Sequence, residues 1–203
     1  MADAPVPLRF RVRGPAAVSL ELERVSGGSS LLPSRRVIVQ SIDLIRDNLK
    51  RSERIVLARV EDMREHCVVF PTPRGGCHTL WVLGHLAYIE ALVIRSFMLG
   101  QPNPLAHWQG LFDGEDVSGN IDQFPPFDQV LEKCKSTRAS TISLLNSLTE
   151  SDLDKSSVNV PSGVEDLFGT YRRCLQYAAD HWFMHRGQLA DARRAAGLER
   201  AWF

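Results

Sequence analysis

Residues 180–189 read Asp-His-Trp-Phe-Met-His-Arg-Gly-Gln-Leu, and two of them are histidines four positions apart. In an α-helix this spacing places His181 and His185 on one face, one turn and roughly 6 Å apart. Two imidazoles so placed can chelate one transition-metal ion without any change in the backbone. Solvated helices also carry such pairs by chance, so the pair alone is a weak indication of a metal site.

The residues around the pair predict that both imidazoles face the core. Polar and apolar side chains recur in register with them at three- and four-residue steps: Cys174, Tyr177, His181, His185, Gln188 and Ala192. A buried histidine needs a hydrogen-bond or metal partner, because a buried polar group without one costs on the order of 1–3 kcal/mol. We expect the helix to run from Thr170 to Ala196 and to end before Gly197.

Three further helices are predicted from apolar stripes upstream. The first runs from Ser34 to about His66, the second from Thr79 to Leu99, and the third begins at Pro126. Glycine and proline recur through residues 100–125, which we expect to be a long irregular crossover and a candidate lid. The sequence therefore predicts an all-α fold, a four-helix bundle spanning residues 34–203, with the crossover between its second and third helices.

Residues 1–33 have a different pattern. The segments 8–13 and 18–23 alternate strictly between apolar and polar side chains, with Gly14-Pro15 between them. This predicts an N-terminal β-hairpin, followed by a flexible Gly/Ser linker at residues 26–30. A disordered extension is the alternative, since an isolated hairpin is marginal in water.

Composition limits the classes of partner. The chain of 203 residues carries 24 Lys and Arg against 24 Asp and Glu, so its formal net charge is zero. An excess of positive charge that would favour binding to nucleic acid or to an acidic membrane surface is therefore lacking. No uninterrupted apolar run approaches the roughly 20 residues of a membrane span, and arginines interrupt every apolar stretch near the N-terminus. The four cysteines form no CxxC motif, which favours reduced thiols and a cytoplasmic protein.

A third histidine is a candidate ligand for the same ion. His85 is the one histidine inside the predicted second helix, and it lies on an apolar stripe. Opposite His181 and His185 it would complete three neutral nitrogens with open positions, which is more typical of a reactive metal than of a closed structural site. Three separate core histidines are the alternative. His78 lies two turns from His85, roughly 10 Å away, which is too far to share one ion. His107 in the crossover is a weaker candidate that could approach if the crossover folds over the site.

Three segments together resemble the DinB/YfiT-like metalloenzymes, the DinB superfamily. They are Thr-Leu-Trp-Val-Leu-Gly-His-Leu-Ala at 79–87, Leu-Thr-Glu-Ser-Asp-Leu at 148–153, and the His-x3-His-Arg-Gly-Gln-Leu motif at 181–189. The resemblance implies a four-helix bundle, frequently a homodimer, and a divalent metal on His85, His181 and His185. Relatives include transferases and isomerases that use low-molecular-weight thiols. Many relatives carry small or polar residues where this chain has Trp182-Phe183-Met184.

Three functions follow from such a site. Zinc or nickel on three imidazoles lowers the pKa of a bound thiol or water, which favours a thiol-dependent transferase or isomerase acting on a small electrophile. A metal-dependent hydrolase and a non-enzymatic metal-binding stress-response bundle are the alternatives. Gln188 and Tyr88 are candidates for orienting the ligands. The sequence names no general acid or base, and it has no Ser/His/Asp arrangement, P-loop or dinucleotide motif.

Overall fold

A computed structural model describes residues 39–114 and 117–199, and the regular structure in these two ranges is helical, without strands. The prediction of an all-α chain is thereby confirmed for these residues. The predicted extension at 1–33, with its hairpin and linker, lies outside them. The α-helices are α1 (Ser41–Leu57), α2 (Thr79–Ala91), α3 (Phe127–Asn146), α4 (Glu165–Phe168) and α5 (Tyr171–Ala195).

The first helix is shorter than the sequence predicts. It ends at Leu57, and the chain continues in tight turns to a 3-10 turn at Arg64–His66. Directly after α1 the chain tightens, because the amides of Arg59 and Val60 donate to the carbonyls three residues back, those of Val56 and Leu57, at 2.9 and 3.1 Å. The prediction of a helix to His66 was wrong because Val60 and Met63 still insert into the core from these turns, so the apolar period outlasts the helix.

The second helix is the central one. It passes without a break from α2 into a π-helical segment at Leu92–Met98, so the helical stretch ends one residue before the predicted Leu99. By length and composition Thr79–Met98 is also a candidate membrane span, but 67% of its apolar stretch is buried inside the protein. Glu90 and Arg95 interrupt its apolar character, and the core helix of a packed domain has the same length and composition.

The long helices pack in pairs: α1 lies against α5, and α2 lies against both α3 and α5. The crossover between α2 and α3 is fastened to this core by Trp108 and Phe112, which are both buried. Gly84 on α2 makes this possible, because a Cβ at that position would collide with the Phe112 ring. The crossover therefore closes over α2 at the turn that carries His85.

The connection between α3 and α5 contains regular structure of its own. It contains a 3-10 turn at Glu150–Asp154, which Thr149 and Asp152 close as a capping box, and then the short helix α4. The Glu150 carboxylate accepts a hydrogen bond from the Ile42 amide at 2.9 Å, so this connection caps the start of α1.

One buried guanidinium contacts all four long helices. Arg138 of α3 is fully buried, and its Nε and Nη2 donate to the Glu90 carboxylate of α2 at 3.1 and 2.7 Å. It also donates to the Leu49 carbonyl and the Ser52 hydroxyl of α1, at 3.1 and 3.2 Å, and to the Ala178 carbonyl of α5 at 2.9 Å. The sequence pattern missed this contact because a charged residue does not enter an apolar stripe.

We expect the substitution Arg138→Met to lower the free energy of unfolding by about 3–5 kcal/mol, because it leaves the Glu90 carboxylate buried without its countercharge. Urea denaturation measures the change. The control Lys135→Met, at an exposed position of the same helix, should stay within about 0.5 kcal/mol of the parent protein. The double variant Arg138→Met/Glu90→Met should recover part of the loss. Equal stability of the Arg138 and Lys135 variants would contradict the account.

Candidate metal centre

Three histidines from two helices meet at one point. The Nε2 atom of His181 lies 3.1 Å from Nε2 of His85 on α2 and 3.0 Å from Nε2 of His185 on α5. The three ligand atoms all lie within 4.8 Å of one another, and this is the one group of three or more His, Cys, Asp or Glu side chains so arranged in residues 39–114 and 117–199. The fold thus brings together the three predicted ligands.

The hydrogen bonds on the far sides of two rings fix their tautomers. The Nδ1 of His85 donates to the Phe112 carbonyl at 2.6 Å, and the Nδ1 of His185 donates to the Gln188 side-chain oxygen at 2.5 Å. Since these oxygens only accept, both protons sit on Nδ1 and both Nε2 atoms present lone pairs to the centre.

This donor set fits a cation. Lone pairs on neighbouring Nε2 atoms repel each other at about 3 Å, and His181 has a single Nε2 proton at most to place between two acceptors. A divalent ion would satisfy all three nitrogens at once. Three imidazoles suit zinc, nickel and similar transition ions, whereas calcium and magnesium prefer oxygen ligands.

Burial keeps the three rings neutral, which is the form that binds metal. It lowers the pKa of His181 to about 2, helped by the positive charge that His185, His85 and Arg138 can carry nearby. It lowers the pKa of His185 to about 4, with His85 as the next contribution. The pKa of His85 is also lowered, mainly by burial.

Two of the three imidazole rings stack on a neighbouring aromatic ring, which fixes the orientation of the imidazole plane. Trp81 stacks on His85 with ring centroids 4.5 Å apart and an interplanar angle of 14°, and Tyr177 stacks on His181 at 5.4 Å and 16°. Each aromatic residue lies one turn before its histidine on the same helix. This repeated aromatic-x3-His spacing is present in the sequence, and it is the pattern from which the stacking could have been predicted.

Neither His78, which the sequence excludes as a ligand, nor His107, the weaker candidate, joins the centre. His78 is buried and caps α2: its Nδ1 accepts from the Trp81 amide at 3.1 Å and its Nε2 donates to the Ser118 carbonyl at 2.9 Å. His107 lies exposed in the crossover, with its ring against Trp108. The weaker candidate is therefore not brought to the site.

The ligand-orienting residues were predicted in part. Gln188 bonds His185 as expected, whereas no hydrogen bond joins Tyr88 to the three rings within the described ranges. The Phe112 carbonyl was missed, because every residue has a carbonyl and its identity carries no sequence signal. The nearest clue is Gly84, whose lack of a side chain lets Phe112 approach His85.

Comparison with known proteins gives one result. A family model described as the DinB superfamily matches residues 48–189, more than two thirds of the chain. The match begins within α1 and includes His85 of α2 and His181 and His185 of α5. A search of curated proteins finds no match.

We expect the metal-free protein to lose stability between pH 6.5 and pH 5. Above the unfolded histidine pKa of about 6.5 the rings are neutral in both the folded and the unfolded chain. At lower pH the unfolded chain binds protons and the folded chain does not, so the free energy of unfolding falls. The loss at pH 5 should be on the order of 2 kcal/mol for each of His181 and His185, whose folded pKa values are about 2 and 4.

Urea denaturation of chelator-treated protein at pH 7.5 and pH 5 measures the loss. Carboxylates with lowered pKa values, such as Glu150 and Asp152, lose their contribution only below about pH 4.5, outside this window. The variant His181→Gln should show a smaller difference between the two pH values. Equal stability at both would mean that the rings are not held neutral.

Proposed function

Because the chain belongs to the DinB superfamily, we propose that His85, His181 and His185 bind one divalent metal ion, zinc or nickel. We further propose that the four long helices form the four-helix bundle of this family and that residues 1–33 are an extension to it. The observation that carries the metal proposal is the convergence of three Nε2 atoms, with that of His181 lying 3.1 and 3.0 Å from the other two, whose rings donate from Nδ1 on their far sides.

The proposed activity is that of a metalloenzyme, a thiol-dependent transferase or isomerase acting on a small electrophilic molecule. When bound, the ion supplies Lewis acidity that lowers the pKa of a thiol or water. The chain's own contribution is to hold three neutral ligands, so that the full charge of the ion remains available to attract a thiolate. Three protein ligands also leave at least one coordination position open.

The residues around the histidines support a preorganised site. The Phe112 carbonyl and the Gln188 amide fix which nitrogen of two rings faces the centre, and stacking by Trp81 and Tyr177 fixes two ring planes. The four free cysteines, Cys67, Cys77, Cys134 and Cys174, support a reducing compartment. We propose a cytoplasmic homodimer, as the family resemblance implies.

Metal analysis of protein purified without a histidine tag tests the ligand set. We expect one ion per chain, and a sharp fall in occupancy for His85→Ala, His181→Ala and His185→Ala, because two imidazoles rarely retain such an ion alone. His107→Ala is the matched control, since this exposed histidine lies outside the group. Full occupancy in His85→Ala would remove the proposed third ligand.

A thiol requirement tests the reaction class. With monobromobimane as the electrophile, the metal-loaded protein should accelerate formation of the sulfur–carbon bond and release of bromide above the uncatalysed rate. The acceleration should depend on both added thiol and metal, and it should vanish in His181→Ala. Turnover of an ester substrate that is independent of thiol would instead identify a hydrolase.

A further inference from the structure

A cavity lies away from the three histidines, between α3 and the end of α2 with its π-helical segment. We call it the α2–α3 cavity; its volume is about 280 Å³, and none of the three histidines lines it. Such spaces between bundle helices are common positions for small-molecule sites, and this volume is just below the range for drug-sized ligands. A ligand here would be small.

The inner wall of the α2–α3 cavity includes Glu90, whose carboxylate is half satisfied. Glu90 is 2% exposed, and its Oε2 accepts two hydrogen bonds from Arg138 and one from Trp182. Its Oε1 is buried and has no hydrogen-bond partner among the described residues. A buried acceptor left without a donor is costly, so this oxygen favours a ligand that brings one.

The α3 wall also presents acceptors. The hydroxyls of Ser136, Ser140 and Thr141 donate to helix carbonyls at 3.2, 2.8 and 3.3 Å. Their protons are therefore used within the helix, and the oxygens retain lone pairs. Together with Glu90 they match a group that only donates, such as a primary ammonium.

The same cavity also has positively charged side chains in its lining, which favour a ligand with a negatively charged group in addition to the ammonium. Arg95 and Lys133 line it, and neither forms an ion pair with a carboxylate in the described part of the chain. Among the described residues the Arg95 side chain donates one hydrogen bond, to the side-chain oxygen of the neutral Gln101 amide at 3.1 Å. These cations would oppose a simple amine, but they would attract a ligand that also carries a carboxylate.

We propose that the α2–α3 cavity binds a small zwitterion, in which a short aliphatic chain joins a primary ammonium to a carboxylate. The ammonium bonds Glu90 and the α3 hydroxyls, and the carboxylate bonds Arg95 and Lys133. Apolar side chains that also line the cavity, Ala91, Ile94 and Leu105, contact the chain between them. This site goes beyond the proposed metal function and does not depend on it.

Three probes with the same carbon chain test the charge pattern: γ-aminobutyrate, butylamine and butyrate. Calorimetric titration of the full chain should give γ-aminobutyrate a Kd at least about tenfold lower than that of either singly charged probe, since each lacks one charge-assisted contact. The result should be the same for metal-loaded and chelator-treated protein. Failure of the metal proposal, seen as histidine variants that keep full metal occupancy, would therefore not affect this proposal. Absence of γ-aminobutyrate binding would likewise not affect the metal proposal.

Matched variants locate the binding. Ser140→Trp should fill the cavity and abolish binding, whereas Ser143→Trp, exposed on the same helix but outside the lining, should not change it. Arg95→Gln should weaken γ-aminobutyrate about tenfold without weakening butylamine, and Lys135→Gln is its control. Equal affinities for the three probes, absence of saturable binding, or unchanged binding in Ser140→Trp would each overturn the proposal.

Discussion

The fold depends on the buried ion pair between Arg138 and Glu90. A guanidinium has five N–H donors, and all five are used here, on Glu90 twice and on Leu49, Ser52 and Ala178. A charge of this kind is tolerated in a core only when every donor is met, so the four long helices must be placed together or the network fails. The pair thus specifies one arrangement of helices among many that apolar stripes alone would allow.

The histidine geometry follows from that arrangement. Glu90 is on the helix that carries His85, and it also accepts a hydrogen bond from Trp182, the neighbour of His181, at 2.8 Å. One carboxylate therefore sets the register between the two helices that supply ligands. Trp182 belongs to the bulky apolar segment 182–184, and its full burial against Glu90 and Arg138 places it in this network.

The sequence predicts what depends on local spacing. His181 and His185 share a face because of a four-residue step, and α5 begins and ends within one residue of the predicted limits, at its Thr170 cap and before Gly197. The end of α1 and the Arg138 network were not predictable in the same way. The first depends on turns that mimic helical periodicity, and the second on partners that are 40 or more residues away in sequence.

The contact of Phe112 with Gly84 bears on how quickly an ion or substrate can exchange. The carbonyl that orients His85 belongs to a residue whose ring is buried in the core, so the crossover cannot swing outward there as a free flap. Lifting it would expose an aromatic ring and release the imidazole in the same event. Exchange through this side would then require local unfolding, which is slow in a packed core. Retention of an ion bound by the three histidines would therefore be a kinetic property as well as a matter of affinity.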